Sequence, residues 1–130
     1  MKRTFEPLGT LETAVMSVVW RHSPVTAREV CERMTGAKER AYTTIMTTMD
    51  RLHRKGLLLR EKDGLAWRYT AALGQAEFER ALADGLVAGI LQSHGETALS
   101  AFVEAAAGVD EALLDRLSQL IAARRRGRAQ

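Results

Sequence analysis

The chain has 130 residues, 46% of them hydrophobic, which is enough for one compact core or for a small core with an appendage. No apolar run approaches the roughly 20 residues that span a bilayer, and the start lacks a signal-peptide hydrophobic region, so we expect a cytoplasmic protein without membrane insertion. A single cysteine, Cys31, excludes an internal disulfide, and three scattered histidines have no metal-ligand spacing. We therefore predict neither a metal nor a cofactor.

The net charge of +3 conceals a difference between the two halves of the chain. Residues 1–70 hold thirteen Lys/Arg and eight Asp/Glu, a net charge of +5, whereas residues 71–123 hold two Arg and eight acids, a net charge of −6. The last segment, residues 124–130, adds four arginines and is interpreted as a basic tail. Because clustered cations attract polyanions, the first half is predicted to contact nucleic acid.

Two helices are predicted before residue 40. The first has an N-cap at Gly9 or Thr10, ends before Pro24, and buries an apolar stripe made of Leu11, Ala14, Val15, Val18 and Val19. The second starts with a capping box formed by Thr26 and Glu29, and Thr35-Gly36 closes it.

Residues 41–56 are predicted to form the recognition helix of a helix-turn-helix. Its apolar face, spaced at three and four residues, comprises Tyr42, Ile45, Met46, Met49 and Leu52. The opposite face carries Thr43, Thr44, Thr47, Thr48, Arg51, Arg54 and Lys55. Threonine is a poor helix former, so four of them on an exposed face indicate a role in contact with base edges and phosphates. Gly56 is predicted to be a left-handed C-cap.

A β-hairpin is predicted after this helix, because Asp63-Gly64 separates two strand-like runs. With those two residues as the loop, Arg60 would face Trp67 and Leu58 would face Tyr69, and the arginine could stack on the indole. Three helices and a hairpin predict a mainly α fold, in which residues 1–72 form a winged helix-turn-helix DNA-binding domain.

Residues 73–123 are predicted to form a helical dimerisation domain, with a turn near His94 and an N-cap at Asp110. Its alanine- and leucine-rich faces exceed what so small a protein can bury alone, so a second copy should cover them and make a homodimer. The predicted dimer contacts are Phe78, Leu82, Leu86, Ile90, Leu99, Phe102, Leu113, Leu117, Leu120 and Ile121.

The candidate DNA contacts fall into two groups. Predicted to read bases, from the middle of the polar face, are Thr43, Thr44, Thr47 and Arg51. Predicted to contact the DNA backbone are Arg28, Tyr42, Arg54, Lys55, Arg60, Lys62 and Arg68. Tyr42 and Trp67 also fit a role in the aromatic core, which the pattern favours for both, and His53 is interpreted as a packed histidine rather than a pH switch.

These residues resemble the BlaI/MecI-type bacterial repressors over nearly the whole chain. Leu8, Glu12, Met16 and Trp20 stand at the matching places of the first helix. Further matches are Val-Thr-Ala-Arg-Glu-Val at 25–30, Ala-Tyr-Thr-Thr at 41–44, Asp-Arg-Leu at 50–52, Lys-Gly-Leu at 55–57 and Trp-Arg-Tyr at 67–69. The resemblance implies a homodimer that binds an inverted-repeat operator in double-stranded DNA and represses β-lactam-resistance or stress genes.

The same resemblance implies that a regulatory protease or a membrane sensor relieves repression in some members. A copper-responsive branch carries paired cysteines near its C-terminus, and their absence after Cys31 argues against direct metal sensing. No catalytic constellation stands at a suggestive spacing, so we predict that the protein is not an enzyme. The alternatives left open are a winged helix that docks on a protein and, third, an RNA-binding module.

Overall fold

The computed structural model describes residues 5–34 and 41–129, which form five helices and one three-stranded antiparallel sheet. In chain order the elements are α1 (Thr10–His22), β1 (Val25–Thr26), α2 (Ala27–Arg33), α3 (Tyr42–Arg54), β2 (Leu58–Asp63), β3 (Ala66–Ala71), α4 (Gln75–Val109) and α5 (Glu111–Ala129). The strand order is β1-β3-β2. The predicted winged helix-turn-helix is confirmed, with β2 and β3 as the wing.

The helix starts follow the predicted caps. Gly9 precedes α1, and its N–H donates to Oε1 of Glu12 at 3.0 Å. At α2 the capping box is complete, because the Thr26 N–H donates to Glu29 Oε1 at 2.8 Å and the Glu29 N–H donates to Thr26 Oγ1 at 3.2 Å. The predicted closure at Thr35-Gly36 lies outside the described residues.

The end of α3 also matches the prediction. Gly56 has φ 86°, in the left-handed region that glycine adopts without strain. Its N–H donates to the His53 carbonyl at 3.0 Å, and the Leu57 N–H donates to the Leu52 carbonyl at 3.0 Å. These two bonds form a Schellman motif, which satisfies carbonyls that the helix end leaves open.

The buried face of α3 is rotated relative to the prediction. Ile45, Met49 and Leu52 are fully buried, as expected. Thr48 is buried as well, at 3% exposure, and its hydroxyl is satisfied there because it donates to the Thr44 carbonyl at 2.8 Å. Met46 is 44% exposed, and Tyr42, at 36% exposure, is also outside the core. The prediction is therefore wrong for these three residues: Thr48 lies on the buried face of α3, and Tyr42 and Met46 lie on its exposed face.

The wing has a different register from the predicted one. Its loop is Gly64-Leu65, so that Arg60 pairs with Tyr69 and Lys62 pairs with Trp67. The predicted stacking is nevertheless present, since the Arg60 guanidinium lies 4.3 Å from the centroid of the Trp67 ring, diagonally across the ribbon.

Strand β1 was not predicted, since two residues carry no readable pattern. It pairs Val25 with Tyr69 and Thr26 with Arg68. The pairing fixes the start of α2 against the wing, because Thr26 is both the last residue of β1 and the N-cap of α2.

The first compact unit extends to Gly85 rather than ending after residue 72. Phe78 is buried, with ring centroids 5.5 Å from Phe5 and 5.7 Å from Trp20. The Trp20 indole N–H donates to the Leu73 carbonyl at 3.0 Å. The dimer contact predicted for Phe78 is therefore corrected, because this side chain is already covered by its own core, and Leu82 packs partly against the same core.

The second compact unit begins at Leu86. Helical geometry in α4 is interrupted at His94 (φ −146°, ψ 45°), where a turn was predicted, and Asp110 accepts from the Ala112 N–H at 3.0 Å as the predicted cap of α5. The arginines predicted to form a separate tail instead continue α5. None of residues 86–128, all of which the structure describes, is buried. In the part of the chain that the structure describes, none of the helices combines the length and the hydropathy that a membrane span needs.

Candidate nucleic-acid interface

The four predicted base-reading side chains, Thr43, Thr44, Thr47 and Arg51, are all exposed on α3. With about 100° of rotation per residue, Thr43 and Thr47 lie near the middle of the exposed face, while Thr44 and Arg51 lie on one flank. The Thr47 hydroxyl donates to the Thr43 carbonyl at 2.9 Å. Its oxygen therefore remains available as an acceptor, which suits the amino group of adenine or cytosine in the major groove.

Met46 occupies the other flank of this face, beside Tyr42. Sequence reasoning missed it because a methionine at helical spacing is assigned to the core by default. An exposed thioether chain on this face would suit contact with the methyl group of a thymine in a major groove.

Asp50 pairs with two of the residues that are predicted to contact phosphate. It pairs with Arg54 at 2.6 Å and with Arg60 at 3.0 Å, and Arg60 also reaches the Tyr69 hydroxyl at 3.4 Å. The pKa of Asp50 is lowered mainly by its hydrogen bond from Arg60. The pKa of Arg60 is raised mainly by its hydrogen bond with the Tyr69 hydroxyl. The acid on α3 is thus ionised and held between two guanidinium groups.

Lys55 is engaged inside the protein. Its ammonium group pairs with Oε2 of Glu12 at 2.8 Å. Burial alone would raise the pKa of Glu12, but the hydrogen bonds from Lys55 and from the Gly9 N–H outweigh it, and the pKa is lowered. Lys55 therefore has a structural partner that DNA phosphate would have to compete with.

Arg68 is also engaged, since it pairs with Asp63 at 2.9 Å and with Glu29 at 3.2 Å. The hydrogen bond to Asp63 is the largest cause that raises the pKa of Arg68. The contact with Asp63 lies within the wing, and the contact with Glu29 links the wing to the capping box of α2. Arg68 thus fixes the wing, in addition to the phosphate contact predicted for it.

Of the seven cations that are predicted to contact DNA, three make no ion pair with the described residues, namely Arg28, Arg51 and Lys62. Arg28 lies 4.5 Å from the centroid of the Tyr42 ring, and Lys62 lies 4.8 Å from that of Trp67. Such contacts orient a cation without neutralising it. Arg28 and Lys62 are therefore the predicted backbone contacts whose charge is not neutralised. Their aromatic partners, Tyr42 and Trp67, orient these cations and are not part of the core.

A groove of about 630 Å³ separates α3 from the wing, and we call it the helix–wing groove. Tyr42, Met46 and Asp50 line its helix side, and Arg60, Leu65 and Trp67 line its wing side. Leu65, at the tip of the wing, is fully exposed and was not singled out in the sequence. The groove gathers predicted backbone contacts from both elements around one concave surface.

His53 is not among the residues that line this groove. The His53 Nδ1–H donates to the Leu58 carbonyl at 2.9 Å, in line with its interpretation as a packed histidine. Among the described residues, no group of three or more His, Cys, Asp or Glu could hold a metal ion.

Comparison with known proteins identifies relatives for this arrangement. A family model described as penicillinase repressor matches residues 8–123. The transcriptional regulator BlaI of Mycobacterium tuberculosis is 40% identical over 107 residues, covering 81% of this chain and 77% of that protein. The penicillinase repressor of Bacillus licheniformis is 31% identical over 71 residues, covering 55% of this chain and 56% of that protein. The solution structure of the DNA binding domain of the repressor BlaI superposes with a TM-score of 0.50 at 29% identity, covering 60% of this chain and 94% of that domain.

Proposed function

The chain belongs to the penicillinase repressor family, and from this premise we propose that it represses transcription by binding an operator in double-stranded DNA through α3 and the wing. One observation carries the proposal: the exposed threonines and Arg51 of α3 lie beside a wing whose Lys62 is not neutralised. A helix face of short polar side chains next to uncompensated cations suits a major groove flanked by phosphates.

In this proposal the contacts divide by role. Thr43, Thr44, Thr47 and Arg51 read base edges, and Met46 adds an apolar contact on the flank. Arg28 and Lys62 contact phosphates directly, because no carboxylate in the described chain competes for them. Arg54, Lys55, Arg60 and Arg68 reach phosphate only by sharing or exchanging their carboxylate partners.

The operator is proposed to be an inverted repeat bound by a homodimer. Support comes from the second unit, where large apolar side chains remain exposed, among them Leu86, Ile90, Leu99, Phe102 and Leu120. Two copies that cover these surfaces would present two α3 helices, which bind half-sites about one helical turn of 34–36 Å apart, or a multiple of it. The acidic second unit would then set the spacing between the two reading helices.

As the family resemblance implies, we include among the proposed partners a regulatory protease or membrane sensor that relieves repression. The proposed compartment is the cytoplasm, where the chromosome lies. The regulated genes are proposed to include β-lactam-resistance genes, in keeping with the family's name. The cysteine pattern gives no support for a metal as the inducer, since the chain has one cysteine.

Recovery of the DNA fragments that the full chain binds across its own genome tests the proposal. We expect a shared inverted repeat with fixed half-site spacing, upstream of a small set of genes. Binding to a recovered fragment should weaken steeply as salt rises, because several phosphate contacts per subunit release counterions. Recovery of no common motif, or affinity that is independent of salt, would contradict repression by operator binding and favour a protein-docking module.

A further inference from the structure

Asp50 is an acid at the centre of the surface that is proposed to meet DNA. It stands three residues after Thr47 and four before Arg54, so the three side chains share one side of α3. About a third of its side chain is exposed. A carboxylate in this place repels phosphate and, judged by charge alone, should weaken binding to any DNA.

The contacts of Asp50 indicate a different role. Its two carboxylate oxygens hold two arginines, with Oδ2 on Arg54 of the same helix and Oδ1 on Arg60 of the wing. Arg60 is held on two further sides, by the face of the Trp67 ring at 4.3 Å and by the Tyr69 hydroxyl. Asp50 is therefore the point at which the recognition helix fixes a wing cation.

The cluster can still attract phosphate. Two guanidinium groups and one carboxylate carry a net positive charge, and each guanidinium has five N–H donors, of which Asp50 occupies only some. Asp50, Arg54 and Arg60 all line the helix–wing groove, whose walls include the apolar side chains of Met46 and Trp67. A DNA strand alternates deoxyribose, whose carbon atoms can pack on these apolar walls, with anionic phosphate, which can pair with the two arginines.

We propose that the helix–wing groove takes one sugar–phosphate strand of the operator, and that Asp50 is a positioning residue that aims Arg54 and Arg60 at this strand. The inference rests on the proposed function, because a reading helix in the major groove with the wing beside it leaves one strand between them. It gives Asp50 a role in binding, whereas its charge alone would only weaken binding to DNA.

The direction in which one substitution changes operator affinity distinguishes a positioning role for Asp50 from simple repulsion of phosphate. Asp50→Asn removes a negative charge from each subunit, so binding to random duplex should strengthen about two-fold. Operator binding should instead weaken about ten-fold, because the strand enters the helix–wing groove only when α3 is docked on its specific site, and there Arg54 and Arg60 lose their common anchor. The matched control is Glu61→Gln on β2, where the same charge is removed from an exposed acid that makes no ion pair among the described residues. That variant should strengthen binding to both duplexes by the same small factor.

Asp50→Glu provides a second variant that keeps the charge and favours the helix. Positioning predicts that it weakens operator binding several-fold while binding to random duplex stays the same, since only the place of the carboxylate changes. Each variant is assayed as the full chain against a recovered operator and a scrambled duplex at two salt concentrations. Melting temperatures measured in parallel confirm that the variants fold.

Two results would overturn the proposal. If Asp50→Asn strengthens operator and random binding alike, as the Glu61→Gln control does, Asp50 is only a repulsive charge. If Asp50→Glu binds the operator as tightly as the wild type, the placement of the carboxylate does not matter. A wild-type chain that fails to distinguish operator from random duplex would instead remove the proposed function itself, and this inference with it.

Discussion

The pairing of Glu12 with Lys55 provides a test that separates the stability of the fold from DNA binding. Glu12 is almost completely buried, and its two oxygens have different partners: Oε1 accepts from the Gly9 N–H at 3.0 Å, and Oε2 accepts from Lys55 at 2.8 Å. Glu12→Gln keeps an oxygen for the Gly9 N–H but turns an amide donor towards the Lys55 ammonium group. Glu12→Ala removes both bonds.

The expected losses follow from the exposure of each partner. A helix N-terminal cap contributes about 1 kcal/mol to the free energy of unfolding. The ion pair contributes less, about 0.5–1 kcal/mol, because Lys55 is 43% exposed and solvent screens it. We therefore expect Glu12→Gln to cost about 0.5–1 kcal/mol and Glu12→Ala about 2 kcal/mol. For a unit of this size, each kcal/mol lowers the melting temperature by roughly 4–8 °C.

The contribution of Glu12 to the free energy of unfolding should change with pH in one direction. The pKa of Glu12 is lowered from its ordinary 4.5, so its charged form stabilises the fold above that pH, and this contribution is lost as the pH falls below 4.5 through the folded-state pKa. Denaturant melts of the wild type and Glu12→Gln should differ by a constant amount at neutral pH and converge in acid. Glu32→Gln, on the exposed side of α2, controls for the change of a single charge.

Equal stability of Glu12→Gln and the wild type at neutral pH would refute this reasoning, and so would a difference that grows in acid. DNA binding adds a second readout, because Glu12→Gln releases Lys55 without removing it. Operator affinity should stay the same or rise in this variant at temperatures where it is folded. A loss of affinity there would show that the ion pair itself serves recognition.

Two further predictions concern DNA reading and assembly. Arg51→Ala should reduce discrimination between operator and random duplex by about ten-fold or more, whereas Lys62→Ala should weaken both alike and lower the salt slope by about one; equal effects on discrimination would contradict the division into base and backbone contacts. Phe102→Glu, at a side chain that is 57% exposed, should shift sedimentation from dimer to monomer and weaken binding to the full repeat more than to a half-site. Glu104→Gln serves as its control, and an unchanged dimer in Phe102→Glu would place the interface elsewhere.

Local interactions made much of the fold predictable. The capping box of Thr26 with Glu29, the left-handed Gly56 and the cap at Asp110 each involve residues no more than a few positions apart. Such contacts depend on the identity of near neighbours, so a short stretch of sequence contains all the information they need.

The faces of α3 and the register of the wing were less predictable, for different reasons. Thr48 resembles the exposed threonines in sequence, and Thr47 makes the same kind of hydroxyl bond yet stays exposed, so the packing of α3 against the core decides which threonine is buried. In the wing, Asp63-Gly64 and Gly64-Leu65 are both acceptable loops, and the pairing of β3 with both β1 and β2 accompanies the second choice.

The sequence by itself determined the order of the three N-terminal helices and the two wing strands, the helix caps, the division of charge between the two halves, and the exposure of Thr43, Thr47 and Arg51 on α3. The tertiary structure decided which cations are free to meet DNA. Lys55 is paired with Glu12 across 43 positions, Arg68 with Glu29 across 39, and Arg60 with Asp50 across 10. An ion pair forms only where folding brings the two charges within a few ångströms, and composition cannot encode that distance. For this reason only some of the predicted basic contacts are unpaired in the folded chain, and the others are held in ion pairs that stabilise the fold.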